Sequence, residues 1–237
     1  MFDLEERLWW YEGMRAITAS LLGPALTEKR NQRMLDIGCG TGYSCVWVRE
    51  RFKLETAYGV DVSPHAAEFW HARGLDTVAL ATADKLPFKE NEFDLVTCFD
   101  VIYQLNDERA SIAVSEIHRV LRPGGLLFIR EPAYQWMRGA HDVAVGTHRR
   151  YTQTDLRRLL RSRGFRPQRA TYANTLLFCG AALHRIVSRL RGSTESDVKA
   201  VPHLLNKTLR GVLKLEASLL GRTNFPFGLS VIVLAEK

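Results

Sequence analysis

The chain is poor in the residues that build covalent or metal frameworks. Its four cysteines (Cys39, Cys45, Cys98, Cys179) include no CxxC pair and no Cys/His cluster. That argues against a disulfide scaffold or thiolate metal site, and a reducing, cytoplasmic setting is expected. No His/Asp/Glu group has ligand spacing beyond the loose pair His141-Asp142, so no metal is expected. No apolar run reaches the about 20 residues of a membrane span; the nearest, residues 175–187, is interrupted by His184 and Arg185. The opening Met1–Arg7 segment is acidic and has no apolar stretch of the secretory kind. Lysine is absent from residues 138–169, which carry nine arginines against two aspartates, a surplus equal to the whole net charge of +7. This segment is either a surface for an anionic partner or the solvated face of a helix.

What is present is an alternation of strand-like and helix-like segments in a chain long enough for one α/β domain. Two short helices are expected in residues 1–30, the first holding Trp9-Trp10-Tyr11. Strands are expected at Arg33–Ile37, Thr56–Val62, Leu75–Leu80, Phe93–Phe99 and Leu126–Arg130. Helices are expected at Tyr43–Phe52, after Ser63-Pro64, and over Glu108–Leu121, where Pro123-Gly124-Gly125 stops the run. Thr152 and Asp155 form a capping-box pattern that opens a helix ending at Arg163-Gly164. A strand at Phe165–Tyr172, helices near 175–191 and 203–221, and a closing strand at Leu229–Ala235 complete the series. Strands separated by helices imply a parallel sheet covered on both faces.

The first strand runs into Leu35-Asp36-Ile37-Gly38-Cys39-Gly40-Thr41-Gly42. Alternate glycines let the backbone turn sharply and let a ligand lie against it at the start of the next helix. Tyr43 stands where the third glycine of a GxGxxG dinucleotide site would be. Asp36, just ahead of the turn, suits a cationic ligand better than a pyrophosphate. Asp61, 19 residues beyond Gly42, ends the second strand, with Val62 beside it. A carboxylate there can accept from both ribose hydroxyls. Ala83-Asp84-Lys85-Leu86-Pro87-Phe88 and then Phe93-Asp94-Leu95-Val96 follow.

In series, these motifs across residues 33–131 resemble class I S-adenosylmethionine-dependent methyltransferases. The resemblance implies a doubly wound, seven-stranded, mostly parallel sheet, with N-terminal helices and a helical insertion before the last strand. It divides a single domain into an N-terminal helical lid (1–30), a cofactor-binding core (31–174), a helical cap (175–225) and a final strand (226–237). The implied cofactor is S-adenosylmethionine, released as S-adenosylhomocysteine. Gly38 and Gly40 would line its methionine part and Asp36 would help hold the ammonium. Asp61 and Val62 would meet the ribose side; Asp84, Lys85 and Leu86 would bracket the adenine. Phe99 and Asp100 would sit beside the sulfonium, and Tyr11 with Arg15, four apart on one helix, would touch the ligand from the lid.

Acceptor candidates follow strands four and five: Tyr103, Glu131 and Tyr134, then the loop from His141 to Tyr151. His148 or His141 is the candidate general base for an oxygen acceptor; alternatively both only pin the loop. Arg149 and Arg150, with Tyr151, either grip an anionic acceptor or pair with Asp142 or Glu131 and fix the loop. Pro132-Ala133-Tyr134, His148–Thr152 and Pro226–Ser230 resemble a bacterial branch of the superfamily, which bears on the fold and not on the acceptor. The expected partner is a small-molecule acceptor, with a peripheral membrane or lipid-like acceptor as one form of it, and the expected state is a monomer or homodimer. A nucleic-acid methyltransferase is the alternative that the arginine segment could serve. Strand four, however, ends Cys98-Phe99-Asp100-Val101-Ile102-Tyr103 and lacks the (D/N)PP(Y/F) loop of enzymes that methylate base amino groups. A non-catalytic cofactor-binding protein is the third reading.

Overall fold

The computed structural model describes residues 4–26, 32–139, 142–143, 146–190 and 202–237. In chain order its elements are α1 (Leu4–Arg7), α2 (Trp9–Leu26), β1 (Arg33–Ile37), α3 (Tyr43–Phe52), β2 (Thr56–Asp61), α4 (Pro64–Ala72) and β3 (Val78–Leu80). Then come β4 (Phe93–Phe99), α5 (Asp107–Val120), β5 (Leu121–Pro132), α6 (Gln153–Ser162) and β6 (Arg166–Ala173). The helices α7 (Phe178–Leu190) and α8 (His203–Leu220) precede β7 (Ser230–Glu236). The sheet order is β3-β2-β1-β4-β5-β7-β6, parallel except that β7 runs antiparallel to both neighbours. This is the expected doubly wound sheet, with order reversing between β1 and β4.

Each face of the sheet carries its own apolar layer. On one, Leu35, Val96 and Ile129 meet Val114 and Ile117 of α5 and Leu156 and Leu160 of α6. On the other, Met34, Leu95 and Phe128 meet Ile17, Leu21 and Leu22 of α2 and Ala217 and Leu220 of α8. Alternate residues of a strand point to opposite faces, which is why neighbours such as Leu35 and Met34 enter different layers. The capping box at Thr152 is formed, Thr152 accepting from the Asp155 N–H while Asp155 reaches back.

Three elements differ from the sequence pattern. Trp9-Trp10-Tyr11 open the second helix instead of lying in the first, which holds only Leu4–Arg7, and the second helix is not short, running 18 residues through Pro24. The third strand holds only Val78–Leu80, because Gly74 at φ 63° turns the chain out of α4 and the Leu75 N–H still bonds the Trp70 carbonyl at 2.9 Å. The fifth strand begins at Leu121, since the backbone pairs with Phe93 before a register shift and so runs through Pro123-Gly124-Gly125.

The insertion is tied back to the core. Glu216 of α8 is fully buried and accepts the backbone N–H groups of Asn174 (2.5 Å) and Leu176 (3.0 Å), where the chain leaves β6. Leu213 occupies the space a Cβ on Gly13 would need, so α2 and α8 approach closely. Leu213→Ala is expected to cost about 2–5 kcal/mol of unfolding free energy, whereas Leu204→Ala, at an exposed position of the same helix, costs below about 0.5 kcal/mol. Urea unfolding followed by circular dichroism checks the contrast.

Candidate functional site

The carboxyl ends of β1, β2 and β4 meet in the crevice where the sheet order reverses, the position at which open α/β sheets bind ligands. Gly38 and Gly40 take φ values of 72° and 53°. A Cβ on Gly38 would run into Val101, while one on Gly40 would meet nothing within 4 Å, so the turn is closed below and open above. Asp36 lies under this turn, almost wholly buried. Its carboxylate accepts from Ser44 Oγ and, at 2.6 Å, from Thr97 Oγ1. Burial raises its pKa to about 6, against the two hydroxyl donors. The carboxylate is thus closed off beneath the turn by these two hydroxyls.

Asp61 joins the turn to the second strand. One oxygen accepts the Gly40 N–H at 2.8 Å and the other the Ser63 N–H at 2.8 Å. Val62, 64% exposed, offers an apolar wall beside it. Asp84 is gripped by Arg109 of α5 at 2.6 Å, and this hydrogen bond lowers its pKa to about 2. Leu86 is buried and Lys85 exposed. Their loop is clamped by Glu116, which accepts the Leu86 N–H at 3.0 Å, and by Arg119, which donates to the Phe88 and Leu86 carbonyls.

Beyond β4 the backbone of Asp100 turns left-handed at φ 57°, and its carboxylate pairs with Arg130 of β5. The Arg130 guanidinium stacks 4.9 Å over the Phe99 ring. Tyr11 of α2 lies in the field of this pair; burial first, then the Glu5 charge, raises its hydroxyl pKa. Arg15 donates to the Glu5 and Glu6 carbonyls at 2.7 and 2.9 Å and stacks on Tyr43. Glu5 itself accepts from Thr41 of the glycine turn and from Arg73, each at 2.5 Å. Helix α1 is thereby strapped across the turn, with Arg15 as its fastening.

Several acceptor candidates have other employment. Glu131 is fully buried and accepts the backbone N–H groups of Val101, Ile102 and Tyr103 at 3.4, 3.1 and 3.2 Å. Burial and then Asp100 push its pKa well up, and it holds the backbone at the β4 exit. Tyr151 is buried, its hydroxyl pKa raised by burial. Arg150 grips buried Asp142 at 2.7 and 3.0 Å and donates to the Ala133 carbonyl, so it fixes the loop. Arg149 bridges Asp107 at 3.1 Å and Asp155 at 3.2 Å and stacks on Tyr151. His148 is exposed in a depression of about 540 Å³ shared with Asn106, Gln135 and Arg149, and its backbone N–H bonds the Tyr103 carbonyl. His141 lies outside the described residues. Tyr103 is largely buried and accepts from Gln104 at 3.1 Å.

Tyr134 is held at φ 60°, a strained value for a tyrosine, and stacks on Tyr172 with ring centroids 5.2 Å apart. Trp136 and Phe178 complete an aromatic wall at 6.0 and 5.8 Å from Tyr134. Sequence reading passed over Ser44, Thr97, Glu116, Arg119 and Arg130. The available signal was polarity within apolar strands: Thr97 inside Phe93–Phe99, and Arg130 after Leu126–Ile129.

Two measurements follow. A carboxyl whose pKa rises from 3.8 unfolded to about 6 folded stabilises the protein fully below pH 4, and that stability is lost as pH climbs through 6. Wild-type unfolding free energy should therefore fall by about 2–3 kcal/mol across that interval relative to Asp36→Asn, as read by denaturant titrations at each pH. Arg150→Ala, which strands a buried carboxylate, is expected to cost about 3–5 kcal/mol, and Arg149→Ala below about 1 kcal/mol, in the same unfolding experiment.

Comparison with known proteins agrees with this geometry. A family model described as a methyltransferase domain matches residues 35–129. An uncharacterized methyltransferase of Synechocystis is 30% identical over 171 residues, covering 67% of this chain and 76% of its own length. An O-methyltransferase of Aspergillus nomiae is 33% identical over 117 residues, 46% of this chain; the match spans only about half of that relative, 51%. The crystal structure of an S-adenosylmethionine-dependent methyltransferase from Mesorhizobium loti superposes with a TM-score of 0.60 at 20% identity, covering 93% of this chain and all of that one (100%). The chain belongs to the class I S-adenosylmethionine-dependent methyltransferase superfamily.

Proposed function

We propose that the protein transfers the methyl group of S-adenosylmethionine to an oxygen of a small, partly aromatic acceptor. The observation that carries the reading is the convergence of the Gly38–Gly40 turn, the Asp61 carboxylate and the Phe99–Asp100 exit in one crevice at the strand ends. The open space above Gly40 and the part-exposed carboxylates of Asp61 and Asp100 fit a cationic nucleoside. The cofactor would supply an electrophilic methyl on a sulfonium, displaced in line by the acceptor. For this chain the task is alignment and exclusion of water. The turn would hold the methionine part, Asp61 the ribose, and Val62, Asp84, Lys85 and Leu86 the adenine. Tyr11, on the helix that Arg15 ties to the α1 strap, would keep water from the reacting end.

The acceptor is placed against Tyr134, Trp136 and Phe178, whose faces suit an apolar or aromatic body. His148 is the base we assign to an acceptor hydroxyl. The arginine segment speaks for a small acceptor over nucleic acid: Arg138, Arg149, Arg150, Arg163 and Arg169 all donate to groups of the protein itself. Exposed Leu183 and Ile186 on α7 leave room for a lipid-like acceptor of the same kind.

Calorimetric titration with S-adenosylhomocysteine tests the cofactor site. Asp61→Ala is expected to weaken binding about 10-fold, or about 1.4 kcal/mol, and Asp61→Asn, which keeps an acceptor for the Gly40 N–H, by less. Absence of binding to the wild type overturns the proposal. With a phenolic acceptor panel, His148→Gln should lower turnover about 100-fold or more; unchanged turnover removes His148 as base.

A further inference from the structure

Helix α8 is apolar on two sides. Leu213, Glu216, Ala217 and Leu220 are buried on the side turned to the core. A second strip, Leu204, Thr208, Val212, Leu215 and Leu219, follows steps of four, four, three and four residues and so shares one face of the helix. That face is turned to solvent: Leu204 is 76% and Leu215 58% exposed. Lys207 and Lys214, two turns apart and both exposed, run along one edge of the strip. Glu216, the one acidic residue of α8, is turned inward to the Asn174 and Leu176 N–H groups, so no carboxylate of the helix offsets these lysines on the outside. The Leu176 bond also sets the start of α7 beside α8, and α7 adds exposed Leu183 and Ile186. Among the described residues, eight of the 13 exposed large apolar side chains fall between Leu176 and Phe227, a concentration unlike the single apolar residues scattered over an ordinary surface. Residues 175–227 also carry eight Lys and Arg against three Asp and Glu.

We propose that this face docks on an anionic lipid bilayer, with α8 lying in the plane of the headgroups, Leu204, Leu215 and Leu219 inserted, and Lys207 and Lys214 beside lipid phosphates. An apolar strip edged by lysines is the pattern of a helix that rests in a membrane interface. The helix lies on the bilayer and does not span it, since no described helix is long and apolar enough to cross a membrane. Charge selects the bilayer over a second copy of the chain. A two-fold contact through this strip would bring the same lysines against each other, whereas anionic headgroups neutralise them. Phe178 opens α7 and belongs to the aromatic wall with Tyr134 and Trp136, so docking brings that wall to the lipid surface. The inference goes beyond the assignment of the methyl donor and does not depend on it.

The test is flotation of the whole chain with vesicles of phosphatidylcholine alone, or of phosphatidylcholine with about 30% phosphatidylglycerol. Binding to the anionic vesicles is expected to exceed binding to the neutral ones about 10-fold or more, and to fall as salt screens the lysines. The pair Leu204→Gln with Leu215→Gln, and separately Lys207→Gln with Lys214→Gln, should each lower partition to the anionic vesicles about 10-fold or more. Ile112→Gln, at an exposed apolar position on α5, should stay within about twofold of wild type. No binding to anionic vesicles, equal binding to both compositions, an unchanged partition in both pairs, or an equal loss in Ile112→Gln overturns the proposal. A wild type that binds no vesicle but forms a dimer in sedimentation velocity, lost in the leucine pair, also overturns it and gives the face to a second copy. If the leucine pair fails to fold, the lysine pair decides: a lowered partition supports the proposal and an unchanged one overturns it. Calorimetry with S-adenosylhomocysteine in the absence of vesicles should give wild-type affinity for both pairs, so failure of the docking surface and failure of the cofactor reading are separate results.

Discussion

The hydrogen bond from the Gly40 N–H to the Asp61 carboxylate joins the two strand ends on which the crevice depends. It ties the turn after β1 to the end of β2, so that two pieces of chain 21 residues apart move as one. The second Asp61 oxygen holds Ser63 and so fixes where α4 begins. From α4, the Trp70 indole donates to the Gly40 carbonyl at 2.8 Å, closing a ring of contacts around the turn. With that turn held, Asp36 can be buried below it and α1 strapped above it.

The charge pattern around this ring is layered. Buried Asp36 and Glu131 sit beneath the strand ends, their ionised forms disfavoured by burial and stabilised by hydroxyl or amide donors. Above them Asp61 and Asp100 are partly exposed, and Arg130 reaches across β4 between the two levels. The outer layer is a strap in which Arg15 and Arg73 sandwich Tyr43 at 4.9 Å each while Glu5 caps Thr41. Each layer depends on the one below for its geometry, because exposed ion pairs order a chain only weakly by themselves.

The segment after β5 follows a different rule. There the loop carrying Arg149 and Arg150 is pinned by ion pairs to Asp142, Asp107 and Asp155, and Tyr134, Trp136 and Phe178 form an aromatic wall. Charges that look like substrate contacts in the sequence serve the loop, and the strained Tyr134 backbone aims a ring into the wall. Buried charges need partners, and in a loop dense with arginine the nearest partners are the loop's own acids.

By itself the sequence determined the alternation of strands and helices, the glycine turn, the carboxylates at strand ends and the capping box at Thr152. These are local, set by hydrophobic period, by positive-φ positions and by short-range capping, and they require no knowledge of distant contacts. Tertiary structure alone decided which carboxylates are closed off and which stay partly exposed. Asp36 and Asp61 both end strands, yet Ser44 and Thr97 close over one while the other stays at the rim. It also decided that Glu131 and Arg150 are held by partners inside the protein and that Arg130 meets Asp100 and Phe99. The physical reason is that pairing of charges depends on separations in space, across 28 to 30 residues of chain for Glu131 and 30 for Arg130, which no local pattern encodes.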